Sequence, residues 1–147
     1  MAGFFGEYEH SVDPKGRVIL PAKFRTSFSE RGGYVSLQHE GCLALWTPDE
    51  FDNRMAEMEE KARTGAMGRN EARVWAARSF QVDVDGQGRI LIPPRLREFA
   101  RLESEAPVII TGAIDRVELW DPQAWEERVQ EQEQRYRDGD TQQEGVA

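Results

Sequence analysis

The chain states one pattern twice. Val12-Asp13-Pro14-Lys15-Gly16-Arg17-Val18-Ile19-Leu20-Pro21 returns as Val84-Asp85-Gly86-Gln87-Gly88-Arg89-Ile90-Leu91-Ile92-Pro93, 72 positions on. Leu45-Trp46-Thr47-Pro48-Asp49-Glu50-Phe51 returns as Leu119-Trp120-Asp121-Pro122-Gln123-Ala124-Trp125, 74 positions on. Two motifs recurring in the same order with so little drift mark a tandem duplication, and the period of a repeat constrains a fold before any local propensity does. Each copy holds about 60 residues, a length at which an isolated unit is marginally stable, so the halves are expected to pack around a shared core. Two equivalent turns that each carry an arginine also suit a symmetric binder better than an asymmetric catalytic cleft.

Each copy reads as strand, tight turn, strand, short helix, two further strands and a longer helix. In the first copy, strands over 8–12 and 17–20 flank the turn Asp13-Pro14-Lys15-Gly16. Aspartate first, proline second and glycine fourth is the preference of a type I turn. Pro21 lacks the N–H a ladder needs and suits the first turn of a helix carrying Phe24 and Phe28. Strands follow at 34–37 and 43–46. Thr47, Pro48 and Glu50 then form a capping box, with Phe51, Met55, Met58 and Ala62 as an apolar stripe on the helix behind it. A helix over about 70–79, with Val74 and Trp75, leads into the second copy. There, 80–84 alternates as a half-buried strand does, Pro93-Pro94 opens a helix with Leu96 and Phe99, and strands fall at 108–111 and 117–120. Asp121-Pro122 caps a helix bearing Trp125, Val129 and Tyr136. Trp46, Trp120 and Trp125 are expected in the core.

Four short strands per copy leave exposed edges, which pairing between the copies would cover. The expected fold is therefore α+β: repeats at 4–62 and 79–137, joined by a connecting segment with a helix at 63–78. The repeats pack into one intertwined, pseudo-twofold β core with flanking helices. Residues 138–147 have no apolar pattern and are expected to be a disordered tail.

Composition limits the setting. No run approaches the roughly 20 apolar residues of a membrane span, and the first seven residues lack the basic and apolar regions of a signal peptide. Cys42 is the single cysteine, read as a small buried hydrophobe in a reducing cytoplasm. The net charge of −8 argues at face value against a nucleic-acid partner. Its distribution does not: from Asp121 onward eight acids face three arginines, whereas from Arg69 to Arg101 seven arginines face four acids.

Catalytic signals are thin. His10, His39 and Cys42 have no metal-ligand spacing, and no phosphate loop, nucleophile elbow or dinucleotide fingerprint is present, so no enzyme activity, metal, cofactor or small-molecule substrate is expected. The repeated Asp-x-x-Gly-Arg turn remains. Asp13 and Asp85 can fix the turn by accepting backbone N–H bonds, and the glycines supply permissive torsions. Turn chemistry alone does not explain why arginine returns in both copies. Lys15, Arg17, Lys23 and Arg25 crowd the first motif, and Arg89, Arg95, Arg97 and Arg101 the second. Arginine's planar fork suits bidentate contact with phosphate or guanine. From the residues alone, a nucleic-acid binder and an oligomeric protein-interaction module both stay open.

Five segments narrow the choice: Phe4-Phe5-Gly6-Glu7-Tyr8, Asp13-Pro14-Lys15-Gly16-Arg17, Leu20-Pro21-Ala22-Lys23-Phe24-Arg25, Asp85-Gly86-Gln87-Gly88-Arg89 and Ile92-Pro93-Pro94-Arg95-Leu96-Arg97-Glu98. Together they resemble the MraZ family of bacterial transcriptional regulators, with both motifs in register over about 4–136. The resemblance implies two tandem AbrB-like swapped-hairpin units. It implies binding of double-stranded DNA at direct repeats in the chain's own promoter, and control, by repression, of the division and cell wall gene cluster. It also implies a ring-shaped homo-oligomer and a cytoplasmic, nucleoid-associated protein with no membrane contact. The family's Asp-x-x-x-Arg motif falls on Asp13 with Arg17 and on Asp85 with Arg89: the arginines as DNA contacts, the aspartates orienting them. Lys15, at a turn tip, is a phosphate-contact candidate, and Lys23, Arg25, Arg95 and Arg97 are secondary ones. Met1-Ala2-Gly3 departs from the family's usual start, and Pro14 and Gly86 make the two turns unequal in sequence.

Overall fold

Among the described residues every strand is short, between three and six residues, and each pairs with a strand of the other copy. The computed structural model describes residues 3–139. The first copy contributes β1 (Glu7–Ser11), β2 (Arg17–Ile19), α1 (Ala22–Arg25), β3 (Gly33–Leu37), β4 (Leu43–Trp46) and α2 (Pro48–Thr64). After α3 (Arg69–Ala77), the second contributes β5 (Phe80–Val82), β6 (Arg89–Leu91), α4 (Pro94–Ala100), β7 (Pro107–Gly112), β8 (Val117–Trp120) and α5 (Pro122–Arg137).

Among the described residues, six strands form an antiparallel sheet in the order β1-β7-β8-β4-β3-β5, and β2 pairs with β6 in a separate ribbon. Exchanging each strand for its counterpart (β1 for β5, β3 for β7, β4 for β8) reverses the order and leaves the sheet unchanged. That is the pseudo-twofold. β4 and β8 meet at the axis, with Leu43 opposite Leu119. The hairpin that the first turn promises is not completed within its own copy. β1 and β2 touch through a single bridge, Val12 to Val18, and then β1 joins β7 while β2 joins β6. The copies are intertwined, and the ribbon carries the swap.

One apolar cluster fills the space between ribbon and sheet, drawing Val18, Leu20 and Phe24 from the first copy and Ile90, Ile92 and Leu96 from the second. Val18 and Ile90 stand opposite each other at the centre of the ribbon, fully buried. Phe28 is also buried but lies beyond α1, which is a single turn long. Cys42 is buried beside Ile109 and Trp120, and this burial holds its thiol pKa above the ordinary range.

The helix starts follow their caps. Thr47 Oγ1 accepts the Glu50 N–H (3.2 Å) and Asp121 Oδ2 accepts the Ala124 N–H (3.0 Å). The stripes behind them are less buried than their periodicity predicts. Phe51 is buried, stacked on Tyr34 with ring centroids 4.2 Å apart and on Trp75 at 5.5 Å, yet Met55 and Ala62 are exposed. Length accounts for Ala62: a 17-residue helix runs about 25 Å, while β3 and β4 beneath it run about 13–17 Å. It does not account for Met55, which is exposed although Met58 farther along is half-buried. Phe99 on α4 and Tyr136 on α5 are exposed as well. Trp46 and Trp120 are core residues, whereas Trp125 is half-buried and donates its indole N–H to Glu7 Oε1 (2.9 Å). β5 stops at Val82, short of 84, because its partner β3 begins at Gly33.

Among the described residues no helix is long and apolar enough to cross a membrane. Of the tail at 138–147, Asp138 and Gly139 close α5 through bonds to Gln134 O and Tyr136 O, and the rest lies outside the described residues.

A fragment of residues 4–62 loses the partners of β1, β2 and β4 together. It should show no cooperative thermal transition by circular dichroism, where the whole chain shows one. In the whole chain, Ile90→Ala should lower the unfolding free energy in urea by about 2–5 kcal/mol.

Candidate nucleic-acid interface

The two repeated turns are built from the same bonds. In the first, Gly16 N donates to Asp13 O and Asp13 N to Arg17 O, both at 2.9 Å. Asp13 Oδ1 accepts the Lys15 N–H (2.9 Å) and the Arg17 N–H (2.8 Å), while Oδ2 accepts Arg17 Nε–H at 2.7 Å. In the second, Asp85 Oδ1 accepts the Gln87 and Arg89 N–H groups, each at 2.9 Å, and Oδ2 accepts Arg89 Nε–H at 2.8 Å. Corresponding distances agree within 0.1 Å, so replacing Pro14 by Gly86 changes the stiffness of the chain but not the turn. The fourth residue of each turn takes a left-handed conformation, Gly16 at φ +87° and Gly88 at φ +82°, which explains glycine there.

Each aspartate thus holds its turn and aims its arginine with one carboxylate. Because the ion pair within each turn uses Nε, the turn's own aspartate does not engage the terminal amino groups of its guanidinium. The Arg17 and Arg89 side chains are 28% and 26% exposed. The antiparallel β2–β6 ribbon sets Arg17 opposite Leu91 and Ile19 opposite Arg89, bringing both turns into one unit. Asp13 Oδ2 lies 4.0 Å from Arg89 Nη1, so this carboxylate faces both arginines.

The carboxylates are tuned accordingly. At Asp13, desolvation pushes the pKa up, but the bonds from the Arg17 backbone and side chain and from Lys15 N outweigh it, and the group sits below the usual carboxylate range. At Asp85 the Arg89 backbone N–H leads, against a smaller desolvation effect and with help from the Arg89 side chain and Gln87 N, giving the same direction.

Lys15 stands exposed at the first turn's tip, where the second has Gln87. Lys23 and Arg95 are exposed on α1 and α4. Arg25 and Arg97 are half-buried and already engaged: Arg25 Nη2 donates to Leu20 O (2.8 Å) and Arg97 Nε to Ile92 O (3.0 Å). Two residues escape a search for cations, Ile19 and Leu91. The period of two in a strand sends Val18 and Ile90 inward, leaving Arg17, Ile19, Arg89 and Leu91 on the other face of the ribbon, with Leu91 55% exposed. Counting alternation outward from the buried pair would have found them.

Fold and site together define a duplicated swapped-hairpin protein that presents two aspartate-oriented arginine turns on a shared ribbon. The model of the family described as "MraZ protein, putative antitoxin-like" matches the chain twice, over residues 4–70 and 76–144. The chain is 43% identical over 123 residues to the "Transcriptional regulator MraZ" of Acetivibrio thermocellus, covering 84% of each chain. It is 41% identical over 126 residues to the protein of the same name from Caldanaerobacter subterraneus subsp. tengcongensis, covering 83% of each. This chain belongs to the MraZ family.

A carboxylate whose pKa is lower folded than unfolded adds stability that is complete above the unfolded value, near 4, and is lost as pH falls through the folded value. The chain should therefore lose stability to urea between about pH 5 and pH 2. An Asp13→Ala, Asp85→Ala double variant should be less stable near neutral pH and show a flatter profile across that window.

Proposed function

We propose that this chain is a sequence-specific DNA-binding transcriptional regulator. In this reading it acts as a ring-shaped homo-oligomer on direct repeats in its own promoter, and represses the division and cell wall gene cluster from the nucleoid in the cytoplasm. The observation that carries the reading is the pair of turns in which Asp13 orients Arg17 and Asp85 orients Arg89 on a single ribbon. A guanidinium held at Nε keeps two parallel N–H donors for guanine O6 and N7 or for a phosphate, and its geometry is set before DNA arrives. A two-stranded ribbon fits the major groove, and Ile19 and Leu91 beside the arginines offer apolar contacts of the kind a thymine methyl accepts. The regulator names of the family relatives point the same way.

Acidity is no obstacle if one face approaches DNA. The surplus negative charge is concentrated from Asp121 onward, away in sequence from both turns. One subunit with two small turns reads few base pairs. Neighbouring subunits set on major-groove segments about 10 base pairs apart would read direct repeats and add their affinities. The ring reading is also supported by an exposed apolar cleft of about 270 Å³ lined by Leu37, Met58, Met67, Val74, Trp75 and Phe99.

Fluorescence anisotropy with the chain's own upstream DNA tests the reading. Affinity should fall with salt at a slope of about −0.9 per neutralised phosphate. Arg17→Ala and Arg89→Ala should each weaken specific binding by about 1–3 kcal/mol per contact while the fold persists. Undiminished affinity in a folded double variant would overturn the site.

Assembly has its own measurements. Light scattering should give a multiple of the 16.8 kDa chain mass. DNA carrying several repeats should bind more tightly than DNA carrying one. A monomer, or equal affinity for both DNAs, would refute the ring.

A further inference from the structure

The sequence makes Arg25 and Arg97 secondary DNA-contact candidates, each crowding the motif of its own copy. In the fold each lies against the turn of the other copy. The Arg97 guanidinium lies flat on the first copy's turn glycine: a Cβ on Gly16 would sit 2.6 Å from Arg97 Nε and 2.7 Å from its Cζ. The same arginine donates Nε–H to Ile92 O (3.0 Å), and Ile92 N donates to Gly16 O (3.0 Å). Arg97 and the Arg17 turn are thereby joined through the backbone of one residue, Ile92. The mirror arrangement is complete. A Cβ on Gly88 would collide with the Arg25 guanidinium, Arg25 Nη2 donates to Leu20 O (2.8 Å), and Leu20 N donates to Gly88 O (2.8 Å).

We infer that Arg25 and Arg97 are positioning residues that act crosswise: Arg97 of the second copy sets the turn bearing Arg17, and Arg25 of the first sets the turn bearing Arg89. Each lies against the residue immediately before the DNA-contacting arginine, and each holds the residue whose N–H donates to that turn's glycine carbonyl. The glycine is required twice over, by its positive φ and by the absence of a side chain that would lift the guanidinium away. Each turn is then set by an arginine of the other copy. Only the role in DNA contact rests on the proposed function; the crosswise clamp is a property of the chain alone.

The test separates the two. In the free, full-length chain, amide hydrogen exchange by NMR reports each turn through the N–H groups that the aspartates hold: Lys15 and Arg17 in the first, Gln87 and Arg89 in the second. Arg97→Lys keeps charge and stem but loses the planar fork. It should speed exchange at Lys15 and Arg17 by about fivefold, the scale of one net hydrogen bond, and leave Gln87 and Arg89 unchanged. Arg25→Lys should do the reverse. Amides of β7 and β8 serve as the control for general loosening. Acceleration confined to the arginine's own copy, equal acceleration everywhere, or none would overturn the crosswise clamp.

The DNA arm uses double-mutant cycles in anisotropy. Arg97→Lys should be non-additive with Arg17→Ala and additive with Arg89→Ala, and the slope with salt should match the wild type. A slope reduced by about one in the Arg97→Ala variant would make Arg97 a direct phosphate contact and overturn the positioning role. If the wild type binds no DNA, the proposed function fails, while hydrogen exchange still decides the clamp.

Discussion

The β2–β6 ribbon depends on burial to exist at all. It has three residue pairs, and an isolated two-stranded ribbon of that length does not hold together in water. What stabilises it is Val18 facing Ile90, both fully buried over the sheet, with Leu20 and Ile92 continuing into the same cluster. The ribbon in turn imposes the topology. Because β2 leaves its own hairpin to join β6, β1 is free to join β7, and the six-stranded sheet closes around the pair of crossings. The arginine turns sit at the ends of this ribbon, so their spacing is inherited from the most deeply anchored part of the molecule.

Preorganisation is the second theme. Six backbone and side-chain donors converge on the two carboxylates, three in each turn, and hold both carboxyl groups below their usual pKa range. An arginine on a free surface loses rotamer entropy on binding, while one already held at Nε loses less. Neither bond uses a terminal amino group, although Arg89 Nη1 also lies 4.0 Å from Asp13 Oδ2. Structure and binding therefore draw on different parts of one side chain.

The copies are not identical: beyond the Pro14/Gly86 and Lys15/Gln87 exchanges in the turns, they differ in their flanking helices. α2 is followed by α3, whose Trp75 stacks on Phe51, whereas α5 runs on to the end of the described residues with Trp125 tilted against Trp120. Arg54 and Arg116 lie over Trp46 at 4.6 and 5.5 Å, and Glu118 is buried on β8 with bonds from Arg116 and Trp120. A pseudo-symmetric core with unequal flanks presents different surfaces on its two sides. The proposed ring would need such unequal surfaces for its head-to-tail contacts.

Residues close together in sequence were enough to determine the turns, caps and strands. Asp13 to Gly16 specifies its turn through side-chain bonds two and four residues away, and Thr47 caps α2 three residues on. The repeat itself announced the pseudo-twofold, and with it the pairing of Asp13–Arg17 with Asp85–Arg89. The tertiary structure alone decided which strand β2 would take, how far the stripe on α2 would stay buried, and which turn Arg25 and Arg97 would clamp. The strand choice and the clamps depend on groups far apart in sequence, as between Leu20 and Gly88 or Arg97 and Gly16. A ladder hydrogen bond has the same form whichever strand supplies the partner, so the pairing is set by burial of apolar side chains from both copies, Val18 and Ile90 among them.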